Sequence, residues 1–259
     1  MRAGTASAVA AGAPVGPTLI VAALPEELAA LLARTRSAQV VAVGPLRAVC
    51  GRIGRAPVVV CATGDGRQAA ERGLTRILDA LPVGRVLAIG VSGGLTPDLG
   101  PGSLVVARRL LDGAHHAAGP DPSWLRRAEQ IGGAVLGVCV TAERILGRAA
   151  EKTAAAQELD QPGPATVDLE SAVYARVAAQ RGLPCLVVRA VSDASWEDLP
   201  LDFEALRRPD GGVSRIRVVA RALAHPRAIP GLLRMRRRVA ACAGRLAAFV
   251  AALVDGGTP

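Results

Sequence analysis

The chain has 259 residues, 51% of them hydrophobic but only 2% aromatic, and a formal charge of +9. A chain of that length can bury a substantial core as one large α/β domain or as two small ones. The charge is uneven: residues 213–245 hold nine arginines and no acid while the rest is balanced, which excludes a uniformly basic nucleic-acid binder.

In chain order, MRAGTASAVAAGAPVGP is broken by Gly and Pro where an export signal needs an apolar core, so residues 1–17 are expected to be a mobile tail. TLIVAA (18–23) reads as a buried strand and PEELAALLAR as a helix with proline in its first turn. RAVCGRI and APVVVCAT follow as strands, GDGRQAAERGLTRILDAL as a turn and helix, and RVLAIG and SLVVARRL as two more strands. GAHHAAGPDP (113–122) reads as a loop, 122–133 as a short helix, AVLGVCV as a strand and 147–158 as a helix. ATVDL is a strand end, ESAVYARVAAQRG a helix and PCLVVRAVS the last core strand. Such alternation predicts a mostly parallel or mixed sheet covered on both faces, with no linker long enough to split the body. Beyond Asp193 a polar, turn-rich connection leads to two helical stretches, 214–225 and 230–253, read as an appendage. No run of about 18 strongly apolar residues is present, so no membrane-spanning helix is expected. Cys50, Cys61, Cys139, Cys185 and Cys242 lie far apart with no metal-ligand spacing, which fits reduced, buried thiols in a cytoplasmic protein.

Ligands of α/β sheets bind beyond the carboxyl ends of strands, and there the chain places pointed residues. Glu26 and Glu27 follow the first strand, Gly64-Asp65-Gly66-Arg67 the strand over 56–62, Gly90-Val91-Ser92-Gly93-Gly94 the strand over 85–89, and Asp193 the last. Glu170 stands at the mouth of a helix, where the dipole favours a carboxylate. Each has a plainer reading as a cap or a tight turn, and it is their convergence on one sheet edge that raises them. GVSGG also matches the G-x-S-x-G elbow of α/β-hydrolases, with Ser92, Asp193 and His225 in hydrolase order, but GGLTPDLGPG cannot form the helix that an elbow requires. His115 and His116 are adjacent and lack a third ligand, which fits a solvated loop.

Three segments in register carry a resemblance. GVSGGLTPDLGPGSLVV, VDLES and VRAVSDAS resemble motifs of the purine nucleoside phosphorylase and nucleosidase superfamily, with agreeing order over residues 18–196. The tail DLPLDFEALRRPDGGVSRIRVVARALAHPRAIPGLLRMRRRV is similar to the extension of the hopanoid-associated phosphorylases. The resemblance implies a three-layer α/β fold around a mixed, partly barrel-like sheet. It places a catalytic domain over 18–212 and a basic helical extension of the same domain over 213–259.

It further implies cleavage of the N-glycosidic bond of an adenine nucleoside, with adenosylhopane as the lipid-tailed substrate. Methylthioadenosine, adenosylhomocysteine or futalosine are the hydrophilic alternatives, and a binding or membrane-surface module without turnover is a further one. By position, Asp193 resembles the acid at purine N7 and Glu27 the carboxylate that orients attacking water. Glu170 resembles the acid on the ribose hydroxyls, expected to stay ionised, with Leu169 in place of a methionine that packs on the sugar. Gly64, Gly66 and Arg67 lie where phosphorylases bind their anion, and Ser92 lies one place beyond the usual polar residue, whose position Val91 occupies. Hydrolysis and phosphorolysis both stay open, with phosphate as co-substrate in the second and neither metal nor redox cofactor in either. The resemblance implies a homo-oligomer. Residues 213–253 combine arginines with apolar side chains, a composition suited equally to an anionic membrane surface, here the inner face of the cytoplasmic membrane, and to packing on the core.

Overall fold

A computed structural model describes residues 16–208 and 212–256. The predicted mobile tail thus lies, apart from Gly16 and Pro17, outside the described residues. The first strand, β1 (Thr18–Ala22), is buried along its whole length, as a β-branched and aliphatic run covered on both faces requires. It leads into α1 (Pro25–Leu32), then β2 (Arg36–Val43), β3 (Leu46–Ile53), β4 (Ala56–Ala62) and α2 (Arg67–Ala80). Next come β5 (Arg85–Gly94), β6 (Leu104–Asp112), the two-residue β7 (His115–His116), α3 (Pro122–Ile131), β8 (Val135–Thr141) and α4 (Ala149–Gln157). The chain ends with β9 (Ala165–Asp168), α5 (Ser171–Gln180), β10 (Cys185–Asp193), α6 (Arg215–Ala224) and α7 (Ile229–Asp255).

One mixed sheet joins all ten strands in the order β10-β6-β8-β9-β5-β1-β4-β3-β2, with β7 on β6. Because β10 pairs antiparallel with β6 and parallel with β5, five strands close into a barrel, from which the sheet extends through β1 to the edge at β2. Alternate residues of β1 feed two cores. Ile20 and Ala22 pack with α1, α3 and α7, while Leu19 and Val21 pack with α2 and α5, so helices cover both faces. The expected three-layer mixed α/β fold is therefore the observed one.

Three local readings change. β2, Arg36–Val43, was not expected: it is an edge strand, largely exposed, with a polar first half and its apolar residues gathered at Val40–Val43. His115–His116 in the predicted loop add a short strand to β6. The second half of α7 is not an appendage, since Cys242, Leu246, Val250 and Leu253 are buried against α1 and β10 in the main core. All five cysteines are free; Cys50 is half-buried and the others are buried. Burial pushes the thiols of Cys139 and Cys185 up to about 12.

Candidate active site

The parallel strands β1, β5 and β10 end side by side, so their carboxyl ends converge on one place. A cavity of about 380 Å³ opens there, and Glu27, Ser92, Leu169, Glu170 and Asp193 all line it. A groove of about 880 Å³ runs beside it and shares Arg144, Leu146 and Val167, but it holds none of these five residues.

Glu27 is the third residue of α1 and is 3% exposed. Its Oε2 accepts the Leu24 N–H and its Oε1 the Val91 N–H, each at 2.8 Å, so the carboxylate caps its own helix and also ties it to β5. Burial pushes its carboxyl up, and Arg189 and the two amides pull against that. Gly90 is what permits this approach: a Cβ there would lie 2.1 Å from Arg189 Nη1 and 2.7 Å from Glu27 Oε1. Ser92, within β5, is buried, and its Oγ has no hydrogen-bond partner among the described residues.

Glu170 is the N-cap of α5, 6% exposed, and its Oε1 accepts the Gly66 N–H at 2.8 Å. Burial and the neighbouring Asp168 push its carboxyl up to about 8, although Arg189 acts in the opposite direction. Burial therefore works against the expectation that Glu170 simply stays ionised, because it favours the protonated form. Asp193, at the end of β10, pairs with Lys152 Nζ and accepts Ser192 Oγ at 2.7 Å.

The anion site read from the sequence is not assembled. Arg67 opens α2 and turns away from the cavity to Asp112 at the end of β6, with contacts of 2.7 and 2.8 Å. Gly66, in the left-handed region at φ 86°, spends its amide on Glu170, and Gly64 does not line the cavity. The glycine turn thus serves a carboxylate, and Arg67 is held by a partner 45 residues away. The serine-hydrolase triad is absent as well: Ser92 lies inside a strand, Asp193 is engaged by Lys152, and His225 is exposed at the end of α6 against Arg221 O at 3.3 Å. His115 and His116 are exposed on β7, and no group of three or more His, Cys, Asp or Glu is placed to hold a metal among the described residues.

Sequence reasoning missed four parts of the site. Arg189, 1% exposed, pairs with Asp168 at 2.6 Å and donates to Ser171 Oγ at 2.9 Å and Ile89 O at 3.0 Å. Burial opposes its charge, and the carboxylates of Asp168, Glu170 and Glu27 outweigh that. Asp168 also accepts Thr141 Oγ1 at 3.0 Å, which locks the turn that carries Leu169 and Glu170. Both residues lay inside the motifs VDLES and VRAVSDAS, a usable signal. Lys152 sits in an alanine-rich helix, and its only signal is that it is the single lysine among thirty-one basic residues. The apolar outer wall, Leu199, Phe203, Val213 and Met235, comes from turn-rich segments and α7 and has no local pattern to read.

Fold and site together define a class: an enzyme that works on the N-glycosidic bond of nucleosides. The chain belongs to the phosphorylase superfamily, whose family model matches residues 17–210. It is 27% identical over 210 residues to the 5′-methylthioadenosine/S-adenosylhomocysteine nucleosidase of Geobacillus thermodenitrificans, covering 71% of this chain and 87% of that one. Among solved structures, the S-adenosylhomocysteine nucleosidase of Streptococcus pyogenes in complex with 5-methylthiotubericidin superposes with a TM-score of 0.73 at 18% identity, over 96% of this chain and 100% of the other. The futalosine hydrolase of Helicobacter pylori gives a TM-score of 0.73 at 19% identity, over 93% and 98%.

Proposed function

We propose that the protein releases adenine from an adenine nucleoside by hydrolysis. The observation that carries the reading is the gathering of Glu27, Glu170 and Asp193, each on a different element, around one cavity in a phosphorylase-superfamily fold. Water attacks C1′ of the sugar while the C1′–N9 bond breaks and its electron pair leaves with the base. Glu27 accepts the proton of the water, and Ser92 Oγ hydrogen-bonds the same water. Glu170 holds the ribose hydroxyls and, once ionised, stabilises positive charge on the sugar. Leu169 packs on the sugar. Asp193 delivers a proton at N7, a task worth about 10²–10⁴-fold. Hydrolysis is favoured over phosphorolysis because Arg67 is committed to Asp112 and the Gly66 amide to Glu170, which leaves neither for a phosphate.

The 5′ substituent of the nucleoside meets Leu199, Phe203, Val213 and Met235, a wall suited to an apolar group. We further infer that the substrate is a lipid-tailed nucleoside such as adenosylhopane, taken from the cytoplasmic face of a membrane. One feature favours this reading over methylthioadenosine, adenosylhomocysteine or futalosine. On α6, Ile216, Val219 and Leu223 share one helical face and are 83%, 59% and 71% exposed, with Arg217 and Arg221 on the adjoining face. No helix among the described residues is long and apolar enough to cross a membrane, so any contact would be at the surface.

The test is release of adenine from 5′-methylthioadenosine, futalosine, and adenosylhopane in vesicles, each with and without phosphate. Phosphate-independent release supports the hydrolytic reading, and no release from any nucleoside overturns the activity. A strict phosphate requirement overturns only the choice of nucleophile.

A further inference from the structure

Thirty of the thirty-one basic residues are arginine, and the one lysine, Lys152, is fully buried against Asp193. Lys152 lies in the first turns of α4, and each of its three N–H donors is used. One goes to Asp193 Oδ2, one to Ala194 O at 2.9 Å and one to Glu197 O at 3.0 Å. The ammonium therefore clamps the segment that leaves β10, behind the Asp193 carboxyl. The other Asp193 oxygen accepts Ser192 Oγ at 2.7 Å, so both oxygens are fixed from the protein side. Gly93 closes this nook, since a Cβ there would sit 3.3 Å from Asp193 Oδ2 and 3.7 Å from Lys152 Cε. Arg238 of α7 braces it from outside by pairing with Glu197 at 2.8 and 2.9 Å.

We propose that Lys152 is a positioning residue for Asp193: it fixes the carboxyl towards the base and stabilises the carboxylate formed as the proton passes to N7. The inference rests on the reading that Asp193 serves the base. In the step, the Asp193 O–H bond breaks and an N7–H bond forms, while the C1′–N9 pair flows into the purine. Lys152 keeps all its protons and stays beside the carboxylate that the transfer leaves. Holding the reacting oxygen in place matters most as the proton passes, so the effect falls on kcat more than on substrate binding. The choice of lysine follows from shape: a compact ammonium directs three donors at three convergent acceptors, whereas the flat, wider fork of arginine does not fit a nook closed by Gly93.

The experiment is a double-mutant cycle on the full chain with 5′-methylthioadenosine. Lys152→Met is expected to lower kcat by about 10- to 100-fold, with KM within about threefold, a share of the effect of the acid itself. In an Asp193→Asn background the same change should cost less than about twofold, because residues that act through one another are not additive. Lys152→Gln, which keeps a donor for the 194 and 197 carbonyls, is the second variant and should reproduce the kcat loss with the fold intact. Unchanged kcat in either variant, or a double mutant that loses the product of the two single effects, overturns the proposal. So does failure of both Lys152 variants to fold, which would assign the residue to the scaffold. A wild-type protein that releases no base would instead overturn the reading beneath it. Activity lost with Asp193→Asn but kept with Lys152→Met sinks only the role of Lys152.

Discussion

Around the cavity the buried charges are matched: Asp168 with Arg189, Asp193 with Lys152, Glu170 and Glu27 with backbone amides. On α6 and the first half of α7 the opposite holds. Arg221, Arg234, Arg236 and Arg237 lie exposed, and Ile216, Val219, Leu223 and Leu233 expose apolar surface beside them. Buried charge is tolerated only where partners offset its desolvation, so the interior can hold a single arrangement and suits bond breaking. The outer helices carry no such constraint, and their chemistry is directed at whatever lies against them. On the proposed reading, catalysis and substrate choice fall to different parts of one chain.

The sharpest way to break this comparison is at Asp193. Asp193→Asn should lower kcat for adenine release by about 10²–10⁴-fold, the range of general acid catalysis, with the fold retained. Steady-state kinetics and circular dichroism decide it, and unchanged turnover would take the proton donor elsewhere. The Lys152 cycle comes next in size.

Glu170 tests the interior through pH. Its carboxyl is raised from 4.5 to about 8, so between these values the folded chain binds more protons than the unfolded one. Stability from this group is then fully present below the lower value and is lost as pH rises through the upper one. Glu170→Gln lacks that loss. The melting temperature of the variant minus that of wild type should therefore grow between about pH 5 and about pH 8. A difference that stays flat over that range would mean that Glu170 ionises as an ordinary carboxyl.

How much of this was readable depends on whether a residue's neighbours are local. Glu27, Glu170 and Asp193 were legible because apolar runs mark strand ends, and strand ends mark the ligand edge of an α/β sheet. Arg67 was misread because its direction is set by Asp112, on a strand that no local pattern connects to it. Lys152 was missed for the same reason, as its acceptor lies 41 residues on. β2 was missed although Val40-Val41-Ala42-Val43 is an apolar run, because the strand is an exposed edge whose first half is polar. In α7 the run MRRRVAACAGRLAAFVAALV reads as one amphipathic helix, but only packing reveals that its second half is core and its first half is not.

That split in α7 dictates how the outer face must be tested. Removing residues 213–259 would strip Leu246, Val250 and Leu253 from the core and unfold the chain, so loss of activity would say nothing about a membrane. Replacing Ile216, Val219 and Leu223 with glutamate alters only exposed side chains, where substitutions typically cost within about 0.5 kcal/mol each. Turnover of soluble 5′-methylthioadenosine should stay unchanged. Turnover of a lipid-tailed nucleoside in phosphatidylglycerol vesicles should fall by about tenfold or more, since each glutamate removes apolar contact and adds repulsion from an anionic surface. Equal activity on both substrates would mean that the apolar face of α6 serves something other than lipid.

The smallest effect is expected at Arg67, and it is informative because it is small. Arg67 and Asp112 are each about one-third exposed, and their pairing is worth little in stability, about 0–1 kcal/mol. If the nucleophile is water, Arg67→Ala should change kcat/KM by less than about twofold and leave the rate indifferent to added phosphate, because the side chain faces Asp112 and not the cavity. If phosphate attacks, the same substitution should raise the apparent KM for phosphate steeply, since a guanidinium is the natural partner of a dianion. Phosphate titrations of wild type and variant separate the two outcomes. A large effect would require Arg67 to release Asp112 and swing into the cavity on binding, which would join the two regions now held apart.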